Sequence, residues 1–131
     1  MAAEEFVTAV NCIDGRVHIP VINWLKASFD ADYVDHITEP GADMALAVGS
    51  ADVLEAIRQK VLISVNAHNS SILAVVGHYD CAAHPVSEAQ HKRDIGVAVA
   101  TARSWDLPVQ VIGLWVNSDW QVEVVAPIER D

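Results

Sequence analysis

The sequence predicts an α/β protein: a three-layer, mostly parallel twisted sheet with helices on both faces and an antiparallel edge strand. Three observations lead there. Short apolar, β-branched runs alternate with segments whose apolar residues recur at helical spacing. One run, Ser71 to Gly77, is continuously apolar, as in a strand covered on both faces. The last run, Trp120 to Val125, alternates apolar and polar residues after the polar turn Asn117-Ser118-Asp119, which suits a half-exposed hairpin partner.

The elements follow in order. Phe6 to Ile13 reads as a buried strand closed by the turn Asp14-Gly15-Arg16. His18 to Phe29 carries Val21, Ile22, Leu25 and Phe29 on one helical face, and Pro20 is tolerated because it falls in the first turn. Tyr33 to Thr38 is a second strand, ended by Glu39-Pro40-Gly41. Ser50 is placed to cap a helix through about Asn66, with Val53, Leu54, Ile57, Val61 and Val65 in a stripe. After the third strand, Ser87-Glu88-Ala89-Gln90 is a capping box opening a helix to about Ser104. Leu107-Pro108 ends that helix, and Val109 to Val116 forms another buried strand.

At 131 residues, 52% hydrophobic and 20% charged, the chain reads as one domain over 1–131 and is not a disordered one. Acidic residues outnumber basic ones 18 to 8, and the field of a −10 protein disfavours nucleic acid and anionic membrane surfaces as partners. Met1-Ala2-Ala3-Glu4-Glu5 is acidic where a secretory signal is basic, and no run is apolar enough to span a bilayer. Two cysteines with nothing to mark an oxidising compartment make a cytoplasmic location with reduced thiols the expectation.

In open α/β sheets, ligands bind beyond the carboxyl ends of the strands. Two unusual motifs lie there. Cys12, Asp14 and Arg16 form C-x-D-x-R after the first strand, and His78 and Cys81 form H-x-x-C after the third. H-x-x-C alone is a weak signal; paired with C-x-D-x-R at a second strand end, it is specific. Two thiolates and an imidazole suit Zn²⁺, and three protein ligands leave a fourth position for water. Asp14 is placed to accept a hydrogen bond at that position, and Arg16 to hold Asp14 with a bidentate pair. The competing reading makes both cysteines small buried hydrophobes.

Cys12-Ile13-Asp14-Gly15-Arg16 together with Gly77-His78-Tyr79-Asp80-Cys81 resembles the β-class carbonic anhydrase family, over about Phe6 to Val116. The resemblance implies that family's fold and a zinc lyase that hydrates carbon dioxide reversibly to bicarbonate, with Cys12, His78 and Cys81 as metal ligands. It implies Asp14 and Arg16 as the catalytic dyad, and a homodimer or higher homo-oligomer. Three departures stand out: Ala82 where the family has glycine, Gly15 where serine usually precedes the arginine, and too few residues before Cys12 for the family's N-terminal helices. A dimer built differently from its relatives is therefore expected. Two other functions are compatible with the same residues: hydrolysis of a carbon dioxide analogue (carbonyl sulfide or carbon disulfide), and zinc binding without turnover.

The remaining histidines and aromatics are read more plainly. His84 extends the motif to H-x-x-C-x-x-H, as a fourth ligand or proton shuttle, but is expected on the solvent side before Pro85. His91, Lys92 and Arg93 are expected on a solvated helix face, and His18 and His36 have no motif partner. Tyr79 and Asp80 read as turn residues flanking the ligands. Trp24, Trp105, Trp115 and Trp120 are candidates for core or subunit contact.

Overall fold

The computed structural model describes residues 4–129. Its strands are β1 (Phe6–Asn11), β2 (Tyr33–Thr38), β3 (Ile72–His78), β4 (Gln110–Val116) and β5 (Val122–Ala126). Its helices are α1 (His18–Phe29), α2 (Ala42–Val48), α3 (Ala51–His68) and α4 (Glu88–Ser104). The five strands form one sheet in the order β2-β1-β3-β4-β5. The first four are parallel, and β5 runs antiparallel along β4 with an irregularity between Gly113 and Leu114. This is the predicted three-layer α/β fold.

Chain direction decides which helix covers which face. From β1 the chain steps through α1 to β2, then crosses back over β1 through α2 and α3 to β3, and continues the same way through α4 to β4. Right-handed crossovers taken in opposite directions put their helices on opposite faces. Val21 and Leu25 of α1 accordingly pack with Val7, Ala9, Ala74, Val76 and Leu114 on one face. Ile57 and Val61 of α3 and Ile95 and Val99 of α4 pack with Val10, Leu73 and Val75 on the other. Each of the valine, leucine and isoleucine side chains stabilises the fold by about 1.5–3 kcal/mol when fully buried. The reversal of direction opens a crevice between the carboxyl ends of β1 and β3, where both motifs sit.

The local signals act as expected. Ser50 Oγ accepts the Val53 N–H and Ser87 Oγ accepts the Gln90 N–H. The capping box is only half made, because Gln90 Oε1 accepts from Arg93 Nη2 (2.8 Å) instead of from the Ser87 N–H, while its amide donates to Asp94 (2.9 Å). α2 is an element that sequence periodicity does not reveal. It follows Gly41, whose φ of 59° lies in the left-handed region that glycine adopts without strain. Trp120 also differs: it sits in the β4–β5 turn at φ 58°, ahead of the strand it was expected to open. Among the described residues, no helix is long and apolar enough to cross a membrane.

Candidate metal centre and its aspartate–arginine dyad

Cys12 follows directly on β1, in a loop held by buried polar contacts. Its N–H donates to Asn11 Oδ1 (2.8 Å), Asn11 Nδ2 donates to the Val17 carbonyl (3.2 Å), and His18 Nε2 donates to the Cys12 carbonyl (2.9 Å). His78 is the last residue of β3. The Tyr79 N–H then pairs with the Val116 carbonyl (2.8 Å), and Asp80, left-handed at φ 58°, turns the chain so that Cys81 comes back under the strand ends.

These turns bring together Cys12, His78 and Cys81, all buried, with one ligand atom from each within 4.8 Å of the others. His78 Nδ1 donates to the Tyr79 carbonyl (2.8 Å), which fixes the tautomer and leaves Nε2 as the bare nitrogen. That Nε2 is buried without a hydrogen-bond partner. Such an orphan is costly in a folded core, and a bound cation removes the cost.

The electrostatics point the same way. Burial works against a Cys12 thiolate, but the His78 side chain and the N–H groups of Gly41 and Asp14 outweigh it and bring the thiol down to about 7. Burial, with the charge of Cys12 beside it, pushes Cys81 up. For His78, burial opposes the charged ring, yet the Cys12 sulfur and the Tyr79 carbonyl raise its pKa. Two thiolates so close together repel one another without a counter-charge, and a divalent ion supplies it.

Asp14 and Arg16 form a forked pair, Nη2 to Oδ2 at 2.7 Å and Nε to Oδ1 at 3.0 Å, and the Arg16 N–H adds a bond to Oδ1 (2.9 Å). The guanidinium hydrogen bond holds the Asp14 carboxyl down at about 2. The pair is only partly buried. Asp14 keeps 18% of its side-chain surface and Arg16 46%, because the loop lies beyond the carboxyl end of β1. Arg16 also reaches Asp80, through the carboxylate (Nη1 to Oδ2, 3.3 Å) and the carbonyl (Nη2, 3.1 Å). Beside the pair opens a cleft of about 200 Å³ lined by Cys12, Ile13, Asp14, Pro40, Ala82 and Ala83.

Residues 2–126 match the family described as "Putative carbonic anhydrase". The chain belongs to the carbonic anhydrase family. Among curated proteins, none matches it. Within this carbonic anhydrase fold, two histidines depart from their expected places. His84 is not on the solvent side: only 13% of its side chain is exposed, and its Nε2 donates to Asp94 (2.6 Å). His91 is buried, not part of a solvated face, and its Nδ1 donates to Asp43 (2.6 Å). Both follow from α2, which packs on α4 and turns that face of α4 inward.

Sequence reasoning missed several supports of the candidate site. Asn11 and His18 pin the Cys12 loop, the Gly41 N–H helps to hold the Cys12 thiol down, and Trp120 lies over the Arg16 guanidinium. Only Gly41, in a turn signal opposite the motif, left a trace in the sequence.

Proposed function

We propose that the chain is a single zinc domain over 1–131 that hydrates carbon dioxide reversibly, using Cys12, His78 and Cys81 as the metal ligands. The observation that carries this reading is the bare, buried Nε2 of His78, which shares its pocket with two unbridged thiols. The donor set, two sulfurs and one nitrogen, is a catalytic type that leaves one position open. When bound there, zinc supplies a Lewis-acid centre that makes water nucleophilic near neutral pH.

The chain's own residues do the rest. Asp14 stays ionised at working pH and presents a carboxylate oxygen as an acceptor beside the cleft. Arg16, forked onto Asp14, keeps that carboxylate aimed and away from the sulfurs. Ile13, Pro40, Ala82 and Ala83 give the cleft an apolar lining of a size suited to a small uncharged linear molecule. We place the protein in the cytoplasm as a homodimer or higher homo-oligomer, with the exposed side chains of Ile13, on the cleft, and Tyr79 available for subunit contact.

Stopped-flow hydration of carbon dioxide at pH 7 and 8.5 tests the proposal. Wild type should turn over, and Asp14→Ala should keep its metal while losing activity. Activity on carbonyl sulfide or carbon disulfide alone would replace the substrate. A metal-loaded protein inactive on all three would make it a zinc-binding protein. Sedimentation of the purified chain as a monomer would overturn the oligomer.

A further inference from the structure

Across the sheet from the thiol site lies a second constellation that carbon dioxide hydration does not use. Asp43 of α2, His84 of the loop after Cys81 and His91 of α4 each offer one ligand atom, and these lie within 4.8 Å of one another. Asp43 and His91 are each only 1% exposed. We propose that Asp43, His84 and His91 form a second metal site, one that takes a divalent transition-metal ion through two imidazoles and a carboxylate.

The arrangement of partners supports this. His84 Nε2 donates to Asp94 Oδ2 (2.6 Å), which leaves its Nδ1 bare, and Asp94 is itself held by the Gln90 amide (2.9 Å). A carboxylate orienting a histidine from behind is the usual outer support of a metal-binding imidazole. His91 bonds Asp43 Oδ2 through Nδ1 (2.6 Å) and lies against Trp115, with ring centroids 5.2 Å apart. The two imidazoles meet edge to face at 4.8 Å.

Charge gives a second reason. Asp43 and Asp94 bring two negative charges into a mostly buried space. Protonating both imidazoles would balance them only by placing two cations side by side, whereas one divalent ion balances them with both rings neutral. The space is also kept clear. A Cβ at Gly77 would stand 2.7 Å from Asp43 Oδ2. Gly77 faces the α2 and α4 side of the sheet, while Cys12 and Cys81 pack on the α1 side, so the two sites are distinct. With two nitrogens and an oxygen, the second site suits zinc, cobalt or iron(II) without thiolate chemistry. An ion there ties α2, α4 and the Cys81 loop into one unit.

Cobalt(II) titration of the full chain stripped of metal, with metal content read by mass spectrometry, tests the site. Two equivalents per chain are expected, only one of them giving the near-ultraviolet sulfur-to-cobalt absorption. His84→Ala should bind one equivalent and keep that absorption; Cys12→Ser with Cys81→Ser should bind one equivalent and lack it. His91→Gln, checked for folding by circular dichroism, should match His84→Ala. A single equivalent in wild type, untouched by His84→Ala and lost with the cysteines, overturns the second site and leaves the thiol site standing. One equivalent lost with His84→Ala but kept without the cysteines supports the second site and overturns the first.

Discussion

The guanidinium carbon of Arg16 sits 4.7 Å from the centroid of the Trp120 ring, across the crevice from the carboxylate it holds. Trp120 is itself propped edge-on by Tyr79, at 6.4 Å between centroids. Arg16 therefore has Asp14 on one side, Asp80 on another and an aromatic face on a third. The hairpin turn between β4 and β5 thus takes part in aiming the dyad.

Removing the guanidinium should free Asp14. Arg16→Ala is expected to raise the Asp14 carboxyl from about 2 into the ordinary carboxylate range, read by NMR titration. An unchanged value would show that another group holds the carboxylate. Trp120→Ala should have a smaller effect, since an exposed cation–π contact contributes about 0.5–1 kcal/mol.

Metal removal should destabilise the wild type. A ligand present at about 1,000 times its Kd stabilises the folded state by about 4 kcal/mol. Chelation should therefore lower the melting temperature by several degrees or more, and Cys81→Ser should start lower and respond less. Equal responses of the two proteins would show that Cys81 binds no metal.

Acid should weaken the fold in two stages. Burial, and then the charge of neighbouring His18, hold His36 down to about 4. An unfolded histidine titrates near ~6.5, so the neutral His36 contributes stability that is complete above that value and is lost as pH falls through 4. Asp14, held at about 2, contributes above ~3.9 and loses its share toward 2. The urea midpoint should fall from pH 6.5 to 4 in wild type and less steeply in His36→Gln. Parallel profiles would remove His36 from the account.

Two glycines should respond in opposite senses. A Cβ at Gly77 meets Asp43 Oδ2 at 2.7 Å and Ile95 Cδ1 at 2.9 Å, so Gly77→Ala should cost about 1–3 kcal/mol. Gly96, exposed in the middle of α4, has nothing within 4 Å of such a Cβ, and Gly96→Ala should stabilise by about 0.5–1 kcal/mol. Denaturant melts of both variants decide the matter, and a stabilised Gly77→Ala would mean that α2 can move off the sheet.

What could be read from the chain alone is what neighbours in sequence determine. The runs Phe6–Ile13, Tyr33–Thr38 and Ser71–Gly77, which contain or overlap β1, β2 and β3, announce themselves by composition, and Ser50 and Ser87 by capping chemistry that acts within one turn. C-x-D-x-R and H-x-x-C were visible because each is a local motif at the end of an apolar run. Contacts between distant segments were decided only by the tertiary structure. The short helix α2 has too few residues for a period to show, yet its packing on α4 buries His91 and gives Asp43 its partner. Trp120 reaches Arg16, and His18 reaches the Cys12 carbonyl, only after the sheet has set the strand ends side by side. Burial and pairing depend on which surfaces meet in space, and spacing along the chain carries no record of that.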